Sequence, residues 1–585
     1  MRSSFQTYCC LFFLSLSFLA KAQKDSIPII ALELSEADLV RQKSTFNQQK
    51  VMSGSRTLQD VNDLPLTIYV ITKEEIQKYG YVTLVDAVRH LPGIRVSQPG
   101  SALEGETFQM RGLRGNSYTK ILINNIPIKP IVAHSMPLGA QLPIQQAERI
   151  EVIYGPAAAV YGADASVGVI NIILEKKERP TFTQARLNAG NVNGYTDLNV
   201  LFGGQLGRNK QILNFSVYGS MTILDDRPFQ YEGAIYNPLT YAQRDSIENV
   251  DSSYVGLQNY RGENAQKARF STLPHLSRML GADLYYRNWR LSFQRMYRRD
   301  HSAIGLNPLA IAYDNPLNYF GENITNFNLG FAKRKKKFGV ELNFSYLGYR
   351  VDNRSSSQWI RNTLNQGLNL VAKKNTEEAT EIGMGMGTFD FQMYDSLRTE
   401  VYDYYFSGNR YSYAESTEFG IEQIYTYAAS NWLEFSVGLN LRGGFGIPLV
   451  TLARRPLDDL DNIPSRDLPI VNYSYGGGGT SAFAQAYINR PRWNMTLGLQ
   501  YYLFLTTVGA IAIPIQGGIN PRLAFLYKIN PKWSVRTFYG TAFRVPSPYY
   551  YVNTFQLKSG TNEPLQIAKG SLEAEKTTAF ELGTR

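Results

Sequence analysis

The feature that most constrains this chain is a series of segments, from Thr181 onwards, in which apolar and polar residues alternate. In residues 340–346 (VELNFSY), Val, Leu, Phe and Tyr fall on one face, and Glu, Asn and Ser fall on the other. Residues 433–442 (LEFSVGLNLR) and 493–500 (WNMTLGLQ) follow the same rule. A period of two is typical of a strand whose faces meet different environments. The segment is therefore predicted to be β-structure.

The connections between these strands alternate in length. Short turns fall near residues 208–210, 287–288, 333–337, 430–431, 489–492 and 530–532, while polar stretches such as 222–276 and 351–395 are long. Four of the five tryptophans directly follow a short turn: Trp289, Trp432, Trp493 and Trp533. Indole rings favour the membrane–water boundary, whereas a soluble β-sandwich buries its tryptophan in mid-strand. The pattern predicts a transmembrane antiparallel β-barrel with tight periplasmic turns and large outer loops.

The first 22 residues predict export. Arg2 precedes an apolar run, and the run ends in Ala20-Lys21-Ala22, a small-residue cleavage pattern. These features are typical of a secretory signal peptide. The cysteines, Cys9 and Cys10, both lie inside it, so the mature chain is expected to contain no disulfide and no thiolate metal site. We expect the protein to lie in the cell outer membrane.

Between the signal and the barrel, two further regions are predicted. Residues 23–62 are polar and are interpreted as a periplasmic N-terminal arm. Residues 63–178 have the pattern of a small α/β domain, in which LPLTIYVIT and KILINNIPI read as strands and KEEIQKYG as a helix that ends at Gly80. The barrel is assigned to residues 179–585.

The last part of the α/β domain, YGPAAAVYGADASVGVIN, is rich in small residues. A wide barrel has a lumen that side chains alone do not fill, so large outer-membrane transporters contain a folded plug. Gly155, Gly162, Gly168 and the alanines present almost no side chain. We therefore expect them to form the seam at which such a plug packs against the barrel wall.

Four blocks of the α/β domain occur in a set order: LPLTIYVITKEEIQKYGYVTLVDAVRHLPGIRV, MRGLRG, ILINNIPI and AERIEVIYGPAAAVYGADASVGVINIIL. AFRVPS and LEAEKTTAFELG follow late in the chain. In these blocks the chain resembles the TonB-dependent outer-membrane receptors. It departs from the family pattern at Asn124-Asn125, where Asp-Gly is usual, and at Val167-Gly168, where Gly-Gly is usual. The resemblance implies a plug inside a barrel of about 22 strands, a small ligand gathered from outside, and transport energised by TonB and its inner-membrane complex.

The resemblance also suggests site residues. The best match to a TonB box is the stretch Lys50, Val51, Met52, Ser53 and Gly54, which would add a strand to the sheet edge of TonB, although a plain linker is equally compatible. The lock between plug and barrel would involve Arg111, Arg114, Glu148, Arg149 and Glu151, whose guanidinium groups suit bidentate pairing with carboxylates. About fourteen strand candidates precede Arg585, so we expect this chain to lack the last strands of its barrel.

Other functional classes are less well supported by the sequence. The net charge is +11 with a pI near 9.2, but the basic residues are scattered and no nucleic-acid recognition module is readable. The four histidines lack ligand spacing, and no catalytic set, metal site or cofactor site is predicted. A passive porin or surface adhesin remains an alternative, as does a barrel enzyme. For a receptor embedded in outer-membrane lipid, an iron–siderophore complex is the first ligand to consider.

Overall fold

A computed structural model describes residues 50–51, 59–60, 64–190, 194–207, 211–224, 273–306, 315, 317–358, 409–453, 456, 475–508, 511–530, 533–553, 556–557, 564–565 and 572–584. These residues form an α/β unit, residues 64–178, and a large sheet that starts at Phe182. None of the helices in these ranges has the length and apolar composition that a bilayer crossing requires.

The α/β unit is preceded by two short strands that pair with each other, β1 (Lys50–Val51) and β2 (Gln59–Asp60). The strands of the unit itself are β3 (Ile68–Thr72), β4 (Ile94–Ser101), β5 (Gly105–Met110), β6 (Leu113–Arg114), β7 (Thr119–Ile123), β8 (Ile126–Pro127), β9 (Ala147–Tyr154) and β10 (Gly168–Leu174). Its helices are α1 (Lys73–Tyr79), α2 (Leu84–Val88), α3 (Gly115–Tyr118) and α4 (Ala158–Tyr161), with a 3₁₀ turn at Ile144–Gln146.

Local sequence explains the helix ends. The Thr72 side chain accepts a hydrogen bond from the Glu75 backbone, and the Glu75 side chain accepts one from the Thr72 backbone, which is a capping box at the start of α1. Gly80, at φ 66°, ends this helix as predicted. Thr83 and Asp86 cap α2 in the same way.

The core of the α/β unit lies on a mixed five-stranded sheet in the order β3-β9-β10-β7-β8. Strand β10 pairs in parallel with β7 and antiparallel with β9, and its Ile170 and Ile172 are fully buried. The turn between β7 and β8 is made by Asn124 and Asn125 at positive φ, a conformation that asparagine tolerates. β4, β5 and β6 form a second, antiparallel sheet.

The large sheet is antiparallel throughout, and each strand on its main path pairs with the next one on that path. Among the described residues its strands are β11 (Phe182–Gly190), β12 (Tyr195–Leu206), β13 (Leu213–Leu224), β14 (His275–Tyr286), β15 (Trp289–His301), β16 (Tyr319–Lys335), β17 (Phe338–Val351), the short β18 (Ser356–Ser357), β19 (Arg410–Ser430), β20 (Leu433–Ala453), β21 (Tyr475–Asn489), β22 (Trp493–Val508), β23 (Ile511–Asn530), β24 (Trp533–Arg544) and β27 (Glu575–Thr584). β11 and β27 are the two ends of this path. Helix α5 (Pro548–Asn553) and the pair β25 (Gln556–Leu557) and β26 (Pro564–Leu565) lie between β24 and β27.

The two faces of the large sheet have opposite chemistry. In β20, Phe435, Val437 and Leu441 are exposed, whereas Ser436 between them is buried. In β16, Asn326 and Asn328 are buried. An apolar outer face with a polar inner face is the arrangement of a barrel wall in a membrane and the reverse of a soluble protein. The predicted fold class, a β-barrel sheet with an α/β domain, is confirmed.

Tryptophan marks one end of the sheet. Trp289, Trp493 and Trp533 are the first residues of β15, β22 and β24, and Trp432 directly precedes β20. The guanidinium of Arg490 lies 3.7 Å from the centre of the Trp432 ring. These rings therefore lie at the same end of the sheet, next to its short turns.

The large sheet curves around the α/β unit. Side chains from β15, β20, β24 and β27 all hydrogen-bond to that unit, although these strands are distributed over much of the sheet. The inner face of the sheet and the surface of the α/β unit therefore form one continuous interface. This interface contains the candidate functional site.

Candidate functional site

Arg298 of β15 enters the α/β unit from the sheet. Its side chain is completely buried and forms ion pairs with Asp300 and Glu322, both on the sheet, at 2.6 Å between Nη2 and Glu322 Oε1. The same Nη2 atom donates to Ala102 O at 2.9 Å and to Leu103 O at 3.3 Å in the α/β unit. A buried guanidinium needs this charge compensation, because desolvation of an isolated ion is very costly.

Two glycines of the α/β unit leave room for Arg298. A Cβ atom on Gly105 would lie 1.8 Å from Leu138 O and 2.8 Å from Arg298 Nη1. A Cβ atom on Gly139 would lie 3.0 Å from Arg298 Cδ. This anchor was not among the residues predicted from the sequence. Its only signal was the spacing of Arg298 and Asp300, which a strand places on one face.

Arg111 forms a second anchor, with Glu581 of β27. Both guanidinium nitrogens face the carboxylate, and the Nη2–Oε2 distance is 3.0 Å. The Arg111 guanidinium also lies 5.2 Å from the centre of the Tyr154 ring. This bidentate pair joins the glycine-rich turn of the α/β unit to the last described strand of the sheet.

The other predicted lock residues pair within the α/β unit. Arg149 donates to Glu148 at 2.6 Å and to Glu151 at 2.7 Å. Arg114 lies 2.8 Å from Glu104. Of the five residues proposed for the lock, the structure therefore brings Arg111 to a carboxylate of the sheet, and it gives Arg114 and Arg149 partners in their own domain.

Glu104 is a buried carboxylate that sequence reasoning missed. It lies 2.8 Å from His134 Nε2 and accepts a hydrogen bond from Ser135 Oγ at 2.7 Å. Burial raises the pKa of Glu104, but the hydrogen bonds from His134 and Ser135 and the charge of Arg114 outweigh it, so the pKa lies below its ordinary value. No sequence pattern marked this residue, because the partners that bind it through hydrogen bonds, His134 and Ser135, are about 30 positions away along the chain.

The predicted seam glycines lie in two different environments. A Cβ atom on Gly155 would lie 2.6 Å from Glu581 Oε1, and one on Gly162 would lie 3.6 Å from Gln500 Nε2, both on the large sheet. At Gly168 the same atom would lie 2.2 Å from Ile153 O, within the α/β unit. Gly155 and Gly162 thus face the sheet, whereas Gly168 permits close packing inside the α/β unit.

Residues 129–134 of the α/β unit are held to the sheet through their main chain. The partners are side chains of β19, of β20, of the end of β24 and of the residues that follow it. The pairs are Lys129 O with Arg442 at 3.1 Å, Ile131 N with Glu418 at 2.6 Å, Val132 O with Ser547 at 2.9 Å, and His134 O with Arg544 at 2.8 Å. The position of this segment therefore depends on four side chains outside its own domain.

A cavity of about 130 Å³ lies between the 129–134 segment and the sheet. Its walls include both charged groups and aromatic rings, among them Lys120, Lys129, Asp164, Arg442, Tyr475 and Phe543. Ligand pockets typically enclose about 300–1,000 Å³, so this cavity matches one chemical group of a ligand rather than a whole molecule. Tyr475 is the first residue of β21, and the last residue of this strand, Asn489, precedes a short turn. The cavity therefore lies at the opposite end of the sheet, where the long connections are.

The charges in the cavity compensate each other. Lys129 Nζ lies 2.9 Å from Asp164 Oδ2, and Arg442 lies 2.6 Å from Glu418. Burial lowers the pKa of the Lys129 ammonium group. Burial raises the pKa of Asp164, but Lys129 and Lys120 outweigh it and hold this pKa below its ordinary value. A ligand that enters the cavity with its own charge would compete for these pairs.

The predicted TonB box is only partly described. Lys50 and Val51 form β1, which pairs antiparallel with Gln59 and Asp60 of β2. Met52, Ser53 and Gly54 lie outside the described residues. In the part of the chain that the structure covers, no cluster of three His, Cys, Asp or Glu side chains is arranged to hold a metal ion.

Family models match most of the chain. The TonB-dependent Receptor Plug Domain matches residues 60–169, and the TonB dependent receptor-like beta-barrel matches residues 178–585. The chain belongs to the TonB-dependent receptor family. The α/β unit is therefore called the plug from here on, and the large sheet the barrel wall. The family consists of receptors and transporters of the outer membrane.

Individual relatives agree with this assignment. Over 170 residues the chain is 32% identical to the vitamin B12 transporter BtuB of Vibrio vulnificus (strain YJ016), a match that spans 29% of this chain and 27% of BtuB. The structure of the ferric citrate transporter FecA in its unliganded form is similar in fold, with a TM-score of 0.58 and 14% identity over 96% of this chain and 70% of FecA. The pyoverdine outer membrane receptor FpvA from Pseudomonas aeruginosa PAO1 gives a TM-score of 0.60 at 12% identity over 92% of this chain and 69% of FpvA.

Proposed function

We propose that this receptor imports a scarce ligand across the outer membrane and that TonB energises the import. The observation that carries the proposal is the cavity between plug and barrel wall, whose floor is the 129–134 segment of the plug. The same segment is held in place by Arg442, Glu418 and Arg544. A ligand in this cavity would contact Lys129 and Ile131 of the plug and the anchor Arg442 at the same time, as a gated receptor requires.

The proposed mechanism couples binding to plug release. An anionic group of the ligand would pair with Arg442 and weaken the bonds of this arginine to Glu418 and Lys129 O. A ligand shifts the equilibrium between the held and the released plug only by its difference in affinity for these two states. Competition for Arg442 gives the ligand such a difference, and it therefore couples ligand binding to plug release. TonB would then bind the N-terminal arm at Lys50–Val51 by strand addition and displace the plug.

For the ligand we propose an iron–siderophore complex. Similar folds include FecA, which by name transports ferric citrate, and FpvA bound to pyoverdine. A corrinoid is the second candidate, because a vitamin B12 transporter is 32% identical over 170 residues. The aromatic and charged walls of the cavity suit part of either ligand.

The competing proposal is a passive porin or a surface adhesin on a similar barrel. The plug argues against an open pore, because it is joined to the wall on several sides by Arg111, Arg298 and the 129–134 segment. Diffusion through a porin would also need no energy source. TonB dependence of uptake therefore separates the two proposals.

The test uses a strain whose own receptor gene is deleted and that expresses this receptor from a plasmid. Its growth is measured on an array of ferric siderophores, cyanocobalamin and glycans as the supplied compounds. We expect one compound class to support growth in cells with TonB and not in cells without it. Equal uptake without TonB would reject the proposal in favour of the porin. Val51→Pro, which removes a backbone N–H from β1, should abolish uptake, whereas Val51→Ala, which retains it, should not.

A further inference from the structure

The outer face of β16 changes its chemistry towards the short turn that joins this strand to β17. The outward residues of the strand are, in order, Phe327, Leu329, Phe331, Lys333 and Lys335. Asn326 and Asn328, between the first three, are buried on the inner face. A strand rises about 3.3 Å per residue, so Lys333 lies about 7 Å beyond Phe331. The outer face thus passes from apolar to aromatic to cationic residues, as a bilayer passes from hydrocarbon to headgroups.

Aromatic rings of the neighbouring strands lie beside Phe331. Trp289, the first residue of β15, pairs with Phe331 in register, and the centres of the two rings are 4.9 Å apart. Tyr286, the last residue of β14, pairs with Trp289 and therefore lies on the same face. Trp289 and Tyr286 are 50% and 39% exposed. Amphipathic rings favour the membrane–water boundary, so we expect this boundary to pass through these residues.

Three cations lie next to these rings. Lys333 and Lys335 are exposed, and they belong to the part of β16 that continues past Phe331, the partner of the first residue of β15. The guanidinium of Arg287, in the turn between β14 and β15, lies 5.3 Å from the centre of the Tyr286 ring. Within the described ranges, none of the three cations forms an ion pair with a carboxylate. We call the following set the β14–β16 basic patch: Arg287, Lys333 and Lys335 with the rings of Tyr286, Trp289 and Phe331.

Two other basic residues of the same turn are bonded to the barrel wall. Arg334 Nη2 lies 3.5 Å from Glu434 Oε2, and Lys337 Nζ donates to Ala429 O at 3.1 Å. Both partners belong to β19 and β20, on the opposite side of the β16–β17 hairpin from β15. The turn therefore uses two of its cations within the wall and presents Lys333 and Lys335 beside the outward rings.

The patch matches a partner that is anionic at one end and apolar at the other. An anionic phospholipid has both properties: its phosphate would lie among the three cations, and its acyl chains would lie along Phe331 and Leu329. Basic residues at a membrane surface attract anionic lipids, whereas a zwitterionic headgroup would bring a cation of its own to the same place. A soluble acidic protein would match the charges and make no use of the rings.

We propose that the β14–β16 basic patch binds an anionic phospholipid of the membrane that surrounds the barrel. Arg287, Lys333 and Lys335 bind the phosphate, and the rings pack against the upper part of the acyl chains. The bound lipid fixes the height of these short turns relative to the bilayer. The site serves a lipid and not the imported ligand, so it does not depend on the proposed import function.

The test measures lipid preference at Trp289 of the full-length receptor in vesicles. The four other tryptophans are replaced by phenylalanine, so that Trp289 is the only one left. Brominated acyl chains quench its fluorescence, and the vesicles are phosphatidylcholine with a small fraction of brominated phosphatidylglycerol or, for comparison, brominated phosphatidylcholine. Each basic residue near the surface changes the affinity for an anionic lipid about fivefold, so we expect phosphatidylglycerol to be preferred by at least about tenfold. Equal quenching by the two brominated lipids would overturn the proposal.

A matched pair of variants separates the site from general charge attraction. Lys333→Gln/Lys335→Gln should lower the affinity for phosphatidylglycerol by about twentyfold. Arg334→Gln/Lys337→Gln removes the same charge from the same turn but from side chains that bond to the wall, so we expect a change below about threefold. All four side chains are exposed, and folding should therefore be preserved. Equal losses in the two variants would show attraction of any polyanion and would overturn the site.

Soluble glycerol phosphate distinguishes a lipid site from a phosphate site. It carries the anionic group of the lipid without the acyl chains, so at equal concentration it should leave the quenching by brominated phosphatidylglycerol unchanged. Loss of the quenching would show that phosphate alone is bound and would overturn the assignment to a lipid.

Discussion

Arg298 of the barrel wall lies with its Nη2 atom 2.9 Å from Ala102 O of the plug. The family resemblance suggested that plug arginines pair with barrel carboxylates. Here a barrel arginine brings its own carboxylates, Asp300 and Glu322, and bonds the plug through main-chain carbonyl groups. Because a carbonyl oxygen is present at every position, this anchor places no demand on the side chains of residues 102 and 103. It requires glycine at 105 instead, because a Cβ atom there would lie 1.8 Å from Leu138 O.

Arg298 should matter more for stability than Arg111. Arg298→Ala would leave two buried carboxylates without their guanidinium partner, a loss of about 3–5 kcal/mol. Arg111 and Glu581 are partly exposed, so Arg111→Ala should cost only about 1 kcal/mol. Urea unfolding of the purified receptor measures both values, and Arg298→Lys serves as the variant that keeps the charge. Equal losses for the two alanine variants would contradict this ranking.

Gly105→Ala should destabilise the plug far more than Gly80→Ala. Both glycines have similar φ angles, +69° and +66°, so both variants carry the backbone strain of about 1–2 kcal/mol. At Gly80 a Cβ atom meets nothing within 4 Å, whereas at Gly105 it lies 1.8 Å from Leu138 O. Thermal unfolding of the two variants isolates the steric contribution. Matching melting temperatures would show that residues 105 and 138 are not in close contact.

Acid should weaken the plug through Glu104. The pKa of this carboxyl group lies below its ordinary value of 4.5, so the stabilisation is complete above pH 4.5 and is lost as pH falls through the lowered folded-state value. Wild-type receptor should therefore lose unfolding free energy between about pH 5 and pH 3. In Glu104→Gln this slope should be shallower, while Glu74→Gln, at an exposed site on α1, should keep the wild-type slope. Parallel curves for wild type and Glu104→Gln would refute the assignment.

A charged side chain on the outer face of β20 should destabilise the protein more, the deeper its position lies in the bilayer. Leu441→Arg places a cation well inside the apolar band and should cost about 2–4 kcal/mol in a bilayer, whereas Phe435→Arg, close to the short turn, should cost about 1 kcal/mol. Both side chains are exposed on the same face, at 42%. Folding titrations into lipid vesicles provide the values. Two equal and small effects would show that this face does not meet lipid.

The local elements of the plug were predictable because their determinants are neighbours in sequence. The capping pair Thr72 and Glu75, the terminating Gly80 and the turn at Asn124-Asn125 act over a few positions. Arg111 was recognised as an anchor candidate from the family motif, and the structure identifies Glu581, 470 residues away, as its partner. Arg298 and Glu104 carried no such signal, because their environments are made by residues that are not their neighbours in sequence.

The sequence by itself determined the strands, their two unlike faces and the family, since period-two alternation and turn chemistry are encoded residue by residue. Only the tertiary structure decided which atoms of the plug meet which neighbours: that Arg298 reaches Ala102 O, and that Gly168 packs inside the plug. The physical reason is that burial and charge compensation depend on the distance between groups in space. The curvature of the sheet around the plug sets those distances, and the spacing of residues along the chain does not.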